Sequence, residues 1–218
     1  MKAFRLFRLL LPSLLLSILL SGCAHTPKPV FTPKPALTAD WQEHTRQLTK
    51  LNKWQAIGKL AVKVPNDDGS MSMSMSLRWQ QQPHQFNIDF SGPFGQTLLA
   101  ISGDDQQVTL SEPNHAPISA KTAEELIRRN TGWTIPVAQL AFWVRGLPDP
   151  SNRISKFHPN AQGLIETLEQ SGWKISYSEY MSVTSGTETL AMPKRIIAEF
   201  KDIRLTLAIR EWRLEPVL

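Results

Sequence analysis

The sequence predicts a mainly β domain of the α+β class, built around one curled antiparallel sheet. Residues 71–79 alternate apolar and polar side chains, which is the period of a strand with one apolar face. Connections between successive strand patterns, such as 80–83, are short, as antiparallel pairing requires. Helical periodicity is confined to one segment before the strands and two segments between them. A sheet of this many strands must curl or expose its apolar face.

The predicted elements follow in order, and each has its own signal. Residues 38–51 form a helix whose apolar stripe is Trp41, Leu48 and Leu51. Thr122 with Glu125 is a capping box that opens a second helix, and Pro136 opens a third. Strands are predicted over 55–64, 71–79, 86–90, 97–101, 108–110, around 118, and over 164–170, 173–180, 194–200 and 204–213.

The last predicted strand carries its apolar residues in alternation. Leu205, Leu207 and Ile209 share one face, and strict alternation places Trp212 on the other. We therefore expect Trp212 on the face opposite the three aliphatic residues, and Glu211 is a candidate to share their face.

Residues 1–22 have the features of a lipoprotein signal peptide and are excluded from the fold. Three basic residues precede an apolar run over 9–20, which is too short for a stable transmembrane helix. The run ends in Leu20-Ser21-Gly22-Cys23, the bacterial lipobox pattern, so cleavage leaves Cys23 as a lipidated N-terminus. The alternative is an ordinary secretory signal with an incidental cysteine.

Cys23 is the only cysteine, so an intramolecular disulfide is impossible. Ala24 follows it where an aspartate commonly retains lipoproteins in the inner membrane, which favours the outer membrane, on its periplasmic side. Residues 23–37 are proline-rich and predict an extended tether. The remaining 38–218 suit a single domain.

The charge pattern argues against nucleic-acid binding. The formal charge is +5, but Lys2, Arg5 and Arg8 leave with the signal peptide, so the mature chain carries +2. No basic block is interleaved with aromatic residues.

The residues also give no support for an enzyme. A glycine-rich phosphate loop, GxSxG, HExxH and CxxC are all absent from the sequence, and the five histidines are scattered. Asp67-Asp68 precedes Gly69, which is typical of a turn rather than a metal site. We therefore expect no catalytic residues, no cofactor and no metal.

Two features remain for binding. Met71, Met73 and Met75 lie in a row on one strand face, and methionine adapts to varied apolar ligands. They are candidates to line a cavity for acyl chains, or they fill core space under the helices. Phe94 stands within Gly92-Pro93-Phe94-Gly95, where Pro93 fixes φ and the glycines relax the chain, which favours its display at a turn. The alternative is that Phe94 folds back onto the core.

A series of short motifs then carries a resemblance. They occur in the order Leu51-Asn52, Arg78-Trp79-Gln80-Gln81, Gly92-Pro93-Phe94-Gly95, Ala123-Glu124-Glu125, Ile135-Pro136, Trp143 with Gly146-Leu147-Pro148, Ala191-Met192-Pro193 and Trp212. With the lipobox and the tether, this order resembles the LolB family of outer-membrane lipoprotein receptors.

The resemblance implies a fold and a function. The fold is an unclosed antiparallel β-barrel with helices covering the mouth of an apolar cavity. The function is to accept triacylated lipoproteins from the periplasmic carrier LolA and to insert them into the outer membrane, as a monomer. The family's protruding loop carries an apolar residue, commonly Leu, that promotes delivery; here that residue is Phe94. The alternative is a lipid-anchored periplasmic protein that binds another amphiphile or scaffolds an envelope assembly.

The apolar faces of the predicted elements supply the candidate lining of such a cavity. These candidates are Leu60, Val62, Met71, Met73, Met75, Leu77, Trp79, Phe86, Ile88, Phe90, Leu99, Ile101, Leu140 and Val144.

Overall fold

The structure, a computed structural model, describes residues 39–215. The predicted signal peptide, Cys23, the tether and Thr38 lie outside the described residues. The helices are α1 (Ala39–Lys50), α2 (Ala123–Thr131) and α3 (Val137–Trp143). The strands are β1 (Trp54–Asn66), β2 (Gly69–Gln81), β3 (Gln85–Ser91), β4 (Thr97–Asp104), β5 (Val108–Ser111), β6 (Ile118–Ala120), β7 (Ile154–Pro159), β8 (Ile165–Gln170), β9 (Trp173–Ser185), β10 (Glu188–Phe200) and β11 (Ile203–Leu214).

One antiparallel sheet contains all eleven of these strands, in the order β6-β5-β4-β3-β2-β1-β11-β10-β9-β8-β7. Two meanders, β1–β6 and β7–β11, are joined in the middle because β1 pairs with β11. Within the described residues β6 and β7 do not pair, so the sheet is open. The predicted mainly β, unclosed antiparallel fold is confirmed.

The chain passes from one free edge of the sheet to the other through α2 and α3. Residues 121–153, which contain both helices, connect β6 with β7, the two edge strands. Thr122 caps α2, since its Oγ1 accepts a hydrogen bond from the Glu125 backbone N–H at 3.1 Å. Gly132, at φ +75°, ends the helix. The predicted Thr122 cap is confirmed, whereas the Glu125 carboxylate accepts from the Lys121 N–H at 3.2 Å and not from the Thr122 N–H of a full capping box. The connectivity places the helices where they can cover the concave side.

Helix α1 packs through the predicted stripe. Trp41, Leu48 and Leu51 are buried, and the Trp41 ring lies 4.7 Å from the Phe157 ring on β7. The apolar face of α1 is therefore part of the core. None of the helices that the structure describes is long and apolar enough to cross a membrane.

A β-bulge corrects the prediction for the end of β11. Ile57 pairs with Glu211 and Gly58 pairs with Ile209, so Arg210 is an extra residue on β11. The extra residue reverses the alternation, and Trp212 therefore points into the core, where it is 5% exposed. The predictions that Trp212 lies on the face opposite the aliphatic residues and that Glu211 shares their face were wrong, because the bulge arises from pairing between distant strands.

Strand β7 had no counterpart in the sequence prediction. Phe157 is its only buried residue, so the strand lacks the alternation that marks the others. The β9–β10 hairpin is also longer than predicted, because both strands continue past the expected limits to Ser185 and Glu188.

Candidate functional site

An apolar cavity of about 100 Å³ lies between the concave face of the sheet and the helices. Strands β1, β2, β3, β4 and β11 supply nine of its lining residues, and the α2–α3 segment supplies four. The lining residues are Leu60, Val62, Leu77, Trp79, Ile88, Phe90, Ile101, Ile127, Ile135, Val137, Leu140, Leu205 and Leu207. All thirteen are apolar, and the indole N–H of Trp79 donates to Gln81 Oε1 at 3.4 Å, so the lining offers no free side-chain hydrogen bond.

The helical wall of the cavity consists of Ile127 from α2, Ile135 from the linker, and Val137 and Leu140 from α3. The Ala138 backbone N–H of α3 donates to the Glu124 carboxylate of α2 at 2.7 Å. Helix α2 packs on β5 and β6, the short strands at one edge of the sheet. The helical wall is therefore tied together, and α2 rests on the least extensive part of the sheet.

The far end of α3 is fixed to the second meander by buried hydrogen bonds. The indole N–H of Trp143 donates to Gln170 Oε1 at 2.9 Å, and the hydroxyl of Tyr177 donates to the Trp143 carbonyl at 2.8 Å. Gln170 also accepts from the Asp149 backbone N–H, and its amide donates to the carbonyls of Asp149 and Asn152. The Gln170 side chain is fully buried with four partners, so it holds α3 and the following loop against β8.

Arg145 ties the loop after α3 to the end of α1. Its guanidinium donates to the Leu51 carbonyl at 2.9 Å and to the Ala141 carbonyl at 3.0 Å, and it lies 5.3 Å from the centre of the Phe142 ring. Burial lowers the pKa of Arg145 to about 10, so the side chain stays charged at neutral pH. Its charge is stabilised by these carbonyl oxygens and by the aromatic face rather than by a carboxylate.

A second, more open depression of about 630 Å³ lies at the end of the sheet where β2 turns into β3. Trp54, Phe142 and Arg145 line it, and it shares Trp79 and Val137 with the apolar cavity. These two shared side chains therefore separate the depression from the cavity, and we call the depression the mouth.

Phe94 stands at the opposite end of β3, on the turn between β3 and β4. Its side chain is 96% exposed, far more than any other large apolar residue that the structure describes. The turn is closed by a hydrogen bond from the Gly92 N–H to the Gln96 carbonyl at 2.9 Å, and Gln96 Oε1 accepts from the Phe94 N–H at 3.1 Å. Gly95 has φ +79°, a conformation that favours glycine. Phe94 is displayed on a closed turn and does not fold back onto the core.

Eight of the fourteen predicted lining residues touch the apolar cavity: Leu60, Val62, Leu77, Trp79, Ile88, Phe90, Ile101 and Leu140. The other six lie elsewhere. Phe86 lines the mouth, Leu99 is half-buried at the edge of the core, and Val144 is buried one helical turn beyond Leu140.

The row of methionines also lies outside the cavity. Strand β2 pairs with β3 only from Ser76 onward, so Met71, Met73 and Met75 have β1 alone beside them. Met71 is 38% exposed, whereas Met73 and Met75 are half-buried against the core. The alternation identified the correct face of β2. Because β2 extends beyond β3, however, the three methionines lie outside the cavity.

Sequence reasoning missed Gln96, Arg145 and Gln170. Gln and Arg are usually exposed, so no sequence signal marks Arg145 and Gln170 as buried. Nor does any signal mark Gln96 as the residue that closes the Phe94 turn. Among the described residues, no group of three or more His, Cys, Asp or Glu side chains could hold a metal ion. Cys23, the predicted lipidation site, lies outside the described residues.

The chain is similar to known proteins over most of its length. The family model "Outer membrane lipoprotein LolB" matches residues 52–212, from just before β1 to within β11. A LolB from Cellvibrio japonicus is 44% identical over 96% of this chain and 98% of that protein. One from Stutzerimonas stutzeri is 33% identical over 91% of this chain and 92% of that protein.

Among solved structures, a LolA superfamily protein from Nitrosomonas europaea overlaps 84% of this chain and 96% of its own, with 9% identity and a TM-score of 0.48. This structural similarity is too low to support an argument about the fold or function of this chain. The described residues combine an open antiparallel sheet, an apolar cavity and a displayed phenylalanine. The sequence matches are specific: this chain belongs to the LolB family of outer-membrane lipoproteins, and the predicted family is confirmed.

Proposed function

We propose that this protein accepts triacylated lipoproteins from the periplasmic carrier LolA and inserts them into the outer membrane. The observation that carries the proposal is the 96% exposure of Phe94 on a closed turn. An exposed phenylalanine in water stabilises nothing in the fold, and transfer of its side chain to an apolar phase is worth about 1.5–3 kcal/mol. Phe94 therefore acts on the membrane surface at the moment of delivery.

Cys23 is the proposed lipid anchor, and residues 23–37 are the proposed tether that lets the domain face the periplasm. Acyl anchoring contributes about 0.8 kcal/mol per buried methylene, which is far more than one phenylalanine supplies. Phe94 is thus unnecessary for holding the protein on the membrane. Its proposed task is local, namely to disturb the bilayer surface where cargo leaves.

The apolar cavity is the proposed acyl-chain site, and we infer that its small volume is that of a closed state. Its 100 Å³ is smaller than a cavity of about 150 Å³ that takes a single benzene. Acyl chains therefore require the helical wall to move. Because α3 is fixed through Trp143 and Gln170, we infer that α2 and Ile135 move, which requires the Ala138–Glu124 hydrogen bond between the two helices to break, and that β5 and β6 move with α2.

Transfer needs no nucleotide in this mechanism. Acyl chains exchange the apolar interior of the carrier for the apolar interior of this domain and then for the bilayer. Each step replaces one apolar surface by another, so the free energy changes little, and direction follows from increasing affinity along the series. The protein acts as a receptor and not as an enzyme.

The test is a transfer assay from carrier-bound lipoprotein to vesicles, with uptake and delivery measured separately. Phe94→Glu is expected to leave the free energy of unfolding within about 0.5 kcal/mol of wild type, because the side chain is exposed. Uptake of cargo from the carrier should be unchanged, and delivery to vesicles should be blocked.

Phe94→Leu is the matched control, since it keeps an apolar side chain on the same turn, and it should deliver at a rate close to that of wild type. Normal delivery by Phe94→Glu would refute the role of Phe94. A wild-type protein that takes no lipoprotein from the carrier would instead favour a binding or assembly lipoprotein for another amphiphile.

A further inference from the structure

The outer face of the sheet carries a groove of about 710 Å³ at the foot of the Phe94 turn. Three exposed basic residues from three adjacent strands line it: Lys59 on β1, Arg78 on β2 and Arg210 on β11. Gly95, the residue after Phe94, belongs to the same wall. We call this feature the basic groove.

The basic groove carries an excess of positive charge. Among the described residues, Lys59, Arg78 and Arg210 form no ion pair, although seven other Lys or Arg side chains on this part of the chain do. Asp89 is the one carboxylate in the lining. It lies opposite Arg78 in the register of β2 and β3, and its Oδ2 accepts from the Asn87 amide at 2.8 Å. The groove therefore has a local charge of +2 and its donors face solvent.

Backbone geometry builds the groove. An ideal Cβ on Gly58 would lie 2.2 Å from the Ala208 carbonyl oxygen, so only glycine permits the close approach of β1 and β11 there. Arg210 is the extra residue of the bulge beside this contact, and bulges redirect side chains. The bulge that turns Trp212 inward thus also adds a guanidinium to the outer face.

We propose that the basic groove binds the phosphate of a membrane phospholipid headgroup while Phe94 enters the bilayer surface. This inference rests on the proposed membrane role of Phe94. Apolar groups at a membrane interface enter the bilayer surface to a depth of about 5–10 Å. Gly95, on the wall of the groove, follows Phe94 directly, and their Cα atoms are about 3.8 Å apart. The groove then meets the headgroup layer, where guanidinium groups bind phosphate oxygens in pairs. Such a contact would orient the turn on the membrane.

The test measures vesicle binding by the full chain with Cys23→Ala, which removes the acyl anchor. The groove variant is Lys59→Gln, Arg78→Gln and Arg210→Gln together. The control variant, Arg128→Gln, Arg153→Gln and Lys174→Gln, removes the same charge from exposed positions outside the groove. One set of vesicles contains phosphatidylethanolamine and phosphatidylglycerol, and the other contains digalactosyldiacylglycerol, which lacks phosphate.

Each basic residue near an anionic surface strengthens binding about fivefold, so the groove variant should bind phospholipid vesicles on the order of a hundredfold more weakly. The control variant should lose less than about threefold, because its residues lie away from the headgroup layer. On galactolipid vesicles the wild type and both variants should bind equally. Equal loss by both variants on phospholipid, or equal loss by the groove variant on both vesicle types, overturns the inference.

Two further measurements separate this inference from its alternatives. If Phe94→Glu binds both vesicle types as wild type does, the proposed function fails; if it loses binding while the groove variant matches its control, only the groove inference fails. Displacement from vesicles by submillimolar inorganic phosphate would identify a soluble-phosphate site and overturn the lipid assignment. Should the groove variant melt early, Lys59→Gln and Arg210→Gln alone should each weaken binding about fivefold.

Discussion

We expect loss of the Gln170 amide to lower the free energy of unfolding strongly. Gln170→Leu keeps the approximate volume but removes four hydrogen bonds, to the Trp143 indole, to both backbone groups of Asp149 and to the Asn152 carbonyl. Each buried polar group left without a partner costs about 1–3 kcal/mol, and local relaxation recovers part of the total. We expect the free energy of unfolding to fall by about 3–5 kcal/mol.

For a domain of this size, that loss lowers the melting temperature by roughly 10 °C, at about 2–4 °C per kcal/mol. Denaturant unfolding followed by tryptophan fluorescence, together with a thermal melt, measures both quantities. Gln106→Leu makes the same chemical change at an exposed side chain and should stay within about 0.5 kcal/mol of wild type. A Gln170→Leu protein within about 1 kcal/mol of wild type would refute the reasoning.

Two further predictions concern buried charged and titratable groups. Arg145→Met leaves the Leu51 carbonyl without its donor and should lower the free energy of unfolding by about 2–4 kcal/mol. Amide hydrogen exchange in α1 should become faster. Exchange rates no faster than in the Arg128→Met control would contradict this prediction. The only two tyrosines, Tyr177 and Tyr180, have pKa values raised by burial, so absorbance at 295 nm should stay flat past pH 10 and rise only with alkaline unfolding, whereas in urea it should rise near pH 10. Titration of either at pH 10 in the folded protein would contradict this assignment.

The sign of the tyrosine effect follows from linkage. A folded-state pKa above the unfolded value means that the neutral hydroxyl is favoured in the fold, here because the tyrosinate would be buried and desolvated. The associated stability is complete below pH 10 and declines as the pH rises above the unfolded pKa. The Tyr177 hydroxyl donates a hydrogen bond to the Trp143 carbonyl. Ionisation of Tyr177 therefore also removes this contact with the end of α3.

Local patterns predicted much of the sheet because strands β1 to β4 pair with sequence neighbours. In such hairpins the alternation of one strand fixes the face of the next, and Leu77, Ile88 and Ile101 were placed on the face that surrounds the cavity. Strand β7 escaped prediction because it has a single buried side chain, Phe157.

The failures arise where distant segments meet. The bulge at Arg210 depends on how β11 fits beside β1, which is more than 140 residues earlier in the chain, so no local pattern reveals the inward turn of Trp212. The row of methionines was assigned to the correct face of β2. Whether these side chains reach the cavity depends on where the neighbouring strand β3 ends, which no local pattern reveals. Gln170 and Arg145 have no signal at all, because their burial is created by partners supplied from other elements.

The two ends of strand β3 divide the proposed function into separate steps. The mouth adjoins the start of β3 and the Phe94 turn follows its end, and a seven-residue strand spans roughly 20 Å. A substitution at Phe94 is therefore too far from the mouth to alter cargo entry by direct contact. The cavity touches both Trp79, near the mouth, and Phe90, near the turn, and so provides one apolar path along the strand. Loss of delivery with intact uptake in Phe94→Glu is therefore the result that we expect if the proposed function is correct.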